Sequence, residues 1–136
     1  MIELNDLIGK PFASEPKRAY GPDTYSCYGL VWKVYQIFGI EIPFTNISVT
    51  ACKEASEQEI MEHAAKYWQQ LDKPEVPCGV WIKSTNPDFA SHIGTYIGDG
   101  KMIHITINRN VTVDRLRDWR HKIIGYFRYV GDKECQ

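Results

Sequence analysis

Three side chains in this sequence have the types and the order needed for covalent acyl chemistry: Cys27, His92 and His104. A thiol attacks carbonyl carbon as the thiolate, so a nucleophilic cysteine needs surroundings that favour the anion. Cys27 stands where a breaker-rich loop (Pro16, Gly21, Pro22) meets the first run of apolar residues at helical spacing. That places it at a helix N-terminus, where the dipole and unpaired amides favour a thiolate and a backbone amide can help hold an oxyanion.

The histidines lie on an expected hairpin. In the first strand Ile93 and Ile97 alternate with His92, Gly94 and Tyr96, and in the second Ile103, Ile105 and Ile107 alternate with His104 and Thr106. Successive strand side chains point to opposite faces, so both histidines share one face if both isoleucine rows share the other. This requires an odd loop, with Gly98-Asp99-Gly100 as a three-residue connection and Ile97 opposite Lys101. A two-residue Asp99-Gly100 turn would send the histidines to opposite faces. Burying an isoleucine contributes roughly 2 kcal/mol, so the rows are expected to outweigh the turn preference and bring His92 beside His104. A thiol, a histidine base and a second polar group to orient that base form a generalised triad. A metal site built from the same three groups is the competing use. His63 and His121 lie among charged residues and read as surface positions, and Cys52, Cys78 and Cys135 read as small buried hydrophobes.

The elements that must position these groups are legible in outline. Residues 2 to 8 form a short helix stopped by Gly9 and Pro11. Leu30, Val31, Val34, Tyr35 and Phe38 mark a helix that ends at Gly39. Ser56 and Glu59 form a capping-box pattern opening a second long helix, with Ile60, Met61, Ala64, Trp68 and Leu71 on its buried stripe. Strands follow at Gly79–Lys83, His92–Ile97, Lys101–Ile107, Val111–Val113 and Ile123–Val130. Helices first and an antiparallel sheet afterwards predict a single α+β domain over residues 1–136.

Composition excludes some function classes. The chain has 136 residues, 43% of them hydrophobic, and a formal net charge of −1, which fits neither a general nucleic-acid binder nor a protein of anionic membranes. The run Arg115, Arg117, Arg120, Lys122 reads as a solvated face. There is no run of about 18 apolar residues, and the acidic first residues lack a signal-peptide pattern. The expectation is cytoplasmic synthesis without a signal peptide, with a virion tail or the cell wall as later destinations. No cofactor is implied.

The segment from Gly21 through Cys27-Tyr28-Gly29-Leu30-Val31 resembles the nucleophile segment of the NlpC/P60 family, Gly39-Ile40-Glu41-Ile42-Pro43 its helix exit, and His92 to His104 its base-bearing hairpin. The resemblance covers roughly Leu7 to Val130. It implies a papain-like fold with N-terminal helices on an antiparallel sheet, and cleavage of peptidoglycan peptides, commonly between D-glutamate and a diamino acid. It assigns Cys27 as nucleophile, His92 as base and His104 as orienting residue, with Tyr20, Ser26 and Tyr28 at substrate-binding positions. Leu7-Ile8-Gly9-Lys10-Pro11 just before the nucleophile segment looks most like compact versions from phage tail clusters and prophages, which implies tail proteins as partners. Three positions depart from the family pattern: Ser26 replaces an Asp that commonly anchors the substrate amine, Tyr28 replaces a small residue, and Pro77-Cys78-Gly79-Val80 lacks an expected Asp. The readings left open are a peptidoglycan cysteine hydrolase, a tail component that keeps the fold for packing, and an amidase or acyltransferase on the same scaffold.

Overall fold

The computed structural model describes residues 3–13, 15, 17–43, 67–83, 91–105 and 109–131. In chain order these form α1 (Leu4–Leu7), α2 (Cys27–Ile37), β1 (Trp68–Leu71), β2 (Cys78–Lys83), β3 (Ser91–Gly98), β4 (Lys101–His104), β5 (Thr112–Arg115), α3 (Leu116–Trp119), a 3-10 turn (Arg120–Lys122) and β6 (Ile123–Tyr129). The strands make one antiparallel sheet in the order β1-β6-β2-β3-β4-β5. An α+β architecture with helix packed on sheet is therefore present, as expected.

The spacing of α2 explains how it sits on the sheet. Val31 and Tyr35 pack with Trp81, Ile93 and Phe127, while Leu30 and Val34 pack with Ile103, Ile105 and Val111. Adjacent rows of one apolar stripe thus bury two halves of the same sheet face. The helix ends in a Schellman motif: Gly39 N–H donates to Gln36 and Ile40 N–H to Tyr35. Phe38, expected on the buried stripe, is instead 37% exposed at this cap.

The helix expected from Ser56 does not run to Leu71. Trp68–Leu71 is strand β1, paired with Tyr126–Tyr129 of β6, and the rest of that expected helix lies outside the described residues. Trp68 is buried among Tyr35, Trp81 and Tyr129 in edge-to-face contacts with ring centroids 5.0–5.7 Å apart. Helical spacing and a strand's buried end both accommodate a lone tryptophan; the backbone groups of β6 decide between them by offering ladder partners.

The hairpin holds a compromise. Gly98 pairs with Lys101, so the turn has two residues, Asp99 and Gly100, both at positive φ (54° and 71°). Farther down, Tyr96 pairs with Met102 and Thr95 with Ile103, the register of a three-residue connection. Ile97 is the extra residue between these registers, a bulge that restores the parity. Turn chemistry and burial of the isoleucine rows are both satisfied, and the expected three-residue loop is replaced by a two-residue turn plus a bulge.

Candidate active site

Cys27 is the first residue of α2 and Ser26 its N-cap. The Ser26 hydroxyl accepts from Gly29 N–H at 3.0 Å and lies 3.4 Å from the Ala19 carbonyl oxygen, to which it donates. Ser26 N–H also donates to that carbonyl, at 2.9 Å. The loop before the helix is held down by two further pairings, Phe12 with Tyr25 and Tyr20 with Tyr25. Gly29 is required by this closeness, because a Cβ there would stand 1.8 Å from Ala19 O. Ser26 is only 1% exposed. At this position, expected to bind substrate, the hydroxyl is enclosed and hydrogen-bonded to the chain.

Tyr20 and Tyr28 do come together. Their ring centroids are 5.8 Å apart, and Tyr20 meets Trp32 edge-on at 5.6 Å, making an aromatic wall beside the start of α2. Burial, reinforced by the neighbouring Tyr28, pushes the Tyr20 hydroxyl up to about 12, so it stays protonated near neutrality.

His92 and His104 meet as their strand alternation requires. His92 Nε2 and His104 Nδ1 are 2.8 Å apart, and the rings are 6% and 0% exposed as residues. The pair lies on the face of the sheet that carries Val80, Ile82 and Met102, beneath α3. Trp119 of α3 stands edge-on to His104 at 5.0 Å and 6.4 Å from His92, excluding water from both. Burial, then the neighbouring His104, holds His92 down at about 3. Burial also lowers His104, partly offset by the carboxylate of Asp114.

Asp114 is the residue that sequence reasoning missed. Its Oδ2 lies 2.8 Å from His104 Nε2, 3.2 Å from Trp119 Nε1 and 3.3 Å from an Arg109 guanidinium nitrogen. Burial alone would raise its pKa, but the hydrogen bonds from His104 and Trp119 and the nearby Arg109 guanidinium hold it below the usual carboxylate range. The available signal is the alternation Thr112-Val113-Asp114, which puts the carboxylate on the face opposite Val113; the expected strand stops at Val113, whereas β5 runs on to Arg115.

Cys27 is half-buried and lies on the α2 side, packed against both apolar clusters, one of which contains Ile93, the chain neighbour of His92. Alternation along β3 sends Ile93 toward α2 and His92 toward α3. Cys78, the other described cysteine, is buried and its thiol is pushed up to about 11 by burial, as suits an inert core residue. Among the described residues no group of three or more His, Cys, Asp or Glu side chains is placed to hold a metal ion. Of the run read as a solvated face, Arg115, Arg117 and Arg120 are exposed and Lys122 is half-buried; the three arginines line an open cavity of about 440 Å³ with Lys101 and Tyr126, away from Cys27, His92 and His104. No helix among the described residues is long and apolar enough to cross a membrane.

Comparison with known proteins gives this geometry a family. No curated protein matches the chain. Among solved structures, NlpC2 from Trichomonas vaginalis superposes with a TM-score of 0.61 at 18% identity, over 92% of this chain and 44% of that one. The NlpC/P60 domain of the peptidoglycan hydrolase SagA gives 0.56 at 17% identity, over 91% of each chain. A lipoprotein-like NLP/P60 protein from Staphylococcus aureus gives 0.55 at 18% identity, over 93% of this chain and 38% of that one. The chain thus spans less than half the length of the Trichomonas and Staphylococcus proteins. These likenesses establish the papain-like fold, and the profile of the NlpC/P60 family matches residues 14–128, from the loop before Cys27 to the last but one residue of β6. With that match running across nearly all of the helix and sheet described above, the chain belongs to the NlpC/P60 family.

Proposed function

We propose that this protein is a cysteine hydrolase that cleaves an amide bond in peptidoglycan stem peptides, with Cys27 as nucleophile, His92 as general base and His104 as its orienting partner. The observation that carries the reading is the 2.8 Å contact between His92 Nε2 and His104 Nδ1, which leaves His92 Nδ1 as the nitrogen able to take a thiol proton. The thiolate attacks the carbonyl carbon, the protonated His92 returns the proton to the leaving amine, and an acyl-enzyme forms. Water, activated by the same nitrogen, then releases the acid and regenerates the thiol. The reading requires Cys27 Sγ and His92 Nδ1 to approach around the N-terminal end of β3, whose Ile93 belongs to an apolar cluster against which Cys27 packs.

The peptidoglycan hydrolase among the structural neighbours supports the substrate class. The bond between D-glutamate and a diamino acid is the first to test. Because Ser26 is enclosed, a substrate amine must be anchored elsewhere, and Tyr20, Tyr28 and Trp32 supply an aromatic wall for the peptide. The competing reading, a phage-tail component that keeps the fold for packing, predicts an inert Cys27 and co-purification with tail proteins.

The test is mass spectrometry of peptidoglycan fragments after incubation with the wild type and with Cys27→Ala, alongside iodoacetamide labelling of Cys27 across pH. A new stem-peptide product formed only by the wild type, with Cys27 labelling faster than Cys78, is expected. Absence of any product across several wall chemistries, together with a slowly labelled Cys27, overturns the hydrolase reading.

A further inference from the structure

We infer that Asp114 is a positioning residue that sets the protons on both histidines, making a three-strand relay His92–His104–Asp114 whose output is a bare Nδ1 on His92. The inference rests on the proposed roles of Cys27 and His92 and extends them to a residue that neither requires.

Asp114 Oδ2 faces three donors: Trp119 Nε1 and Arg109, which can only donate, and His104 Nε2 at 2.8 Å. An ionised carboxylate has no proton to give, so the hydrogen between Asp114 and His104 sits on His104 Nε2. A neutral imidazole carries one N–H, so His104 Nδ1 is then a bare acceptor. Its partner 2.8 Å away, His92 Nε2, must donate. Neutral His92 has no second N–H, and its Nδ1 is left with a free lone pair. One carboxylate thus determines two tautomers, one of them two residues removed.

Without that anchor the chain can run backwards. His104 would carry its hydrogen on Nδ1 and donate to His92 Nε2, and His92 would then hold its own proton on Nδ1, unable to accept one. The carboxylate also stands at the end of the relay when His92 becomes an imidazolium, a charge that burial alone disfavours. The fold is arranged for this. His104 pairs with Thr112 and lies across from Gly94, so each step of the relay is a diagonal between adjacent strands of one face, within reach of long side chains. The groups facing the carboxylate are His104 from β4, Arg109 from the segment before β5 and Trp119 from α3, with His92 from β3 beyond His104.

The experiment is nitrogen-15 NMR of the histidine rings in the intact wild-type protein at neutral pH, compared with Asp114→Asn and Asp114→Glu. Expected in the wild type are Nε2–H tautomers on both His92 and His104. The Asn variant should shift one or both toward Nδ1–H, and turnover should fall by about 10- to 100-fold with little change in KM. The Glu variant should recover part of both. A proton on His92 Nδ1 in the wild type, or unchanged tautomers in Asp114→Asn, overturns the assignment. The ring spectra need no substrate, so the relay can stand even if no stem peptide is cleaved, and it can fail while cleavage persists.

Discussion

Gly94 lies across the β3–β4 ladder from His104, so close that a Cβ on Gly94 would stand 3.1 Å from the His104 Cβ. The missing side chain is what lets the His104 ring lean along its face toward His92. Replacing Gly94 with Ala should displace His104 by a few tenths of an ångström while leaving the sheet intact. Turnover is expected to fall about 10-fold for a misplaced orienting group, with the denaturation midpoint little changed. Equal losses in turnover and stability would mean that Gly94 serves packing alone.

Removing the orienting ring altogether tests the same contact more severely. His104→Ala leaves His92 Nε2 buried without its partner, and activity should drop about 100-fold or more, the scale of one acid–base contribution. Comparison of kcat and KM for the variant decides it: the loss belongs in kcat.

Stability should decline on mild acidification. His92 and His104 have folded-state pKa values lowered by burial, so below the ordinary histidine value near 6.5 the unfolded chain binds protons that the folded chain refuses. The folded state is therefore unpenalised above that pH and loses up to about 1.4 kcal/mol per pH unit for each histidine as pH falls below it, the His92 contribution continuing toward about 3. Asp114, held below the usual carboxylate range, adds a loss of the same sign at lower pH. Urea denaturation at pH 7.5, 6.5 and 5.5 measures the slope, and His92→Gln should flatten it.

Ser26→Ala separates capping from substrate contact. Loss of the hydrogen bond to Gly29 N–H should destabilise the protein by about 1 kcal/mol, the usual worth of a serine N-cap. KM should be unchanged, since the hydroxyl is enclosed; a raised KM would return Ser26 to the binding site.

Thr95 offers a stabilising change. It is fully buried and its Oγ1 has no hydrogen-bond partner among the described residues. Thr95→Val keeps the shape, removes the unpaired hydroxyl and should raise stability by about 1 kcal/mol in a denaturant titration.

What the sequence determined by itself is what local periodicity controls. The helical spacing of Leu30, Val31, Val34 and Tyr35 placed Cys27 at the start of α2. The period of two along β3 and β4 put His92 and His104 on one face, because alternation is a property of the extended chain and needs no partner. The tertiary structure alone decided the rest. Trp68 became a strand residue because the backbone of β6 offered hydrogen bonds. Ile97 became a bulge because a two-residue turn and two buried isoleucine rows had to coexist. Ser26 was enclosed by Ala19, seven residues earlier. Asp114 reached His104 only because β5 pairs with β4, and Trp119 covers the histidines only because α3 folds back over that face. Each is a non-local contact selected by burial and hydrogen-bond satisfaction over the whole domain, which no window of neighbouring residues contains.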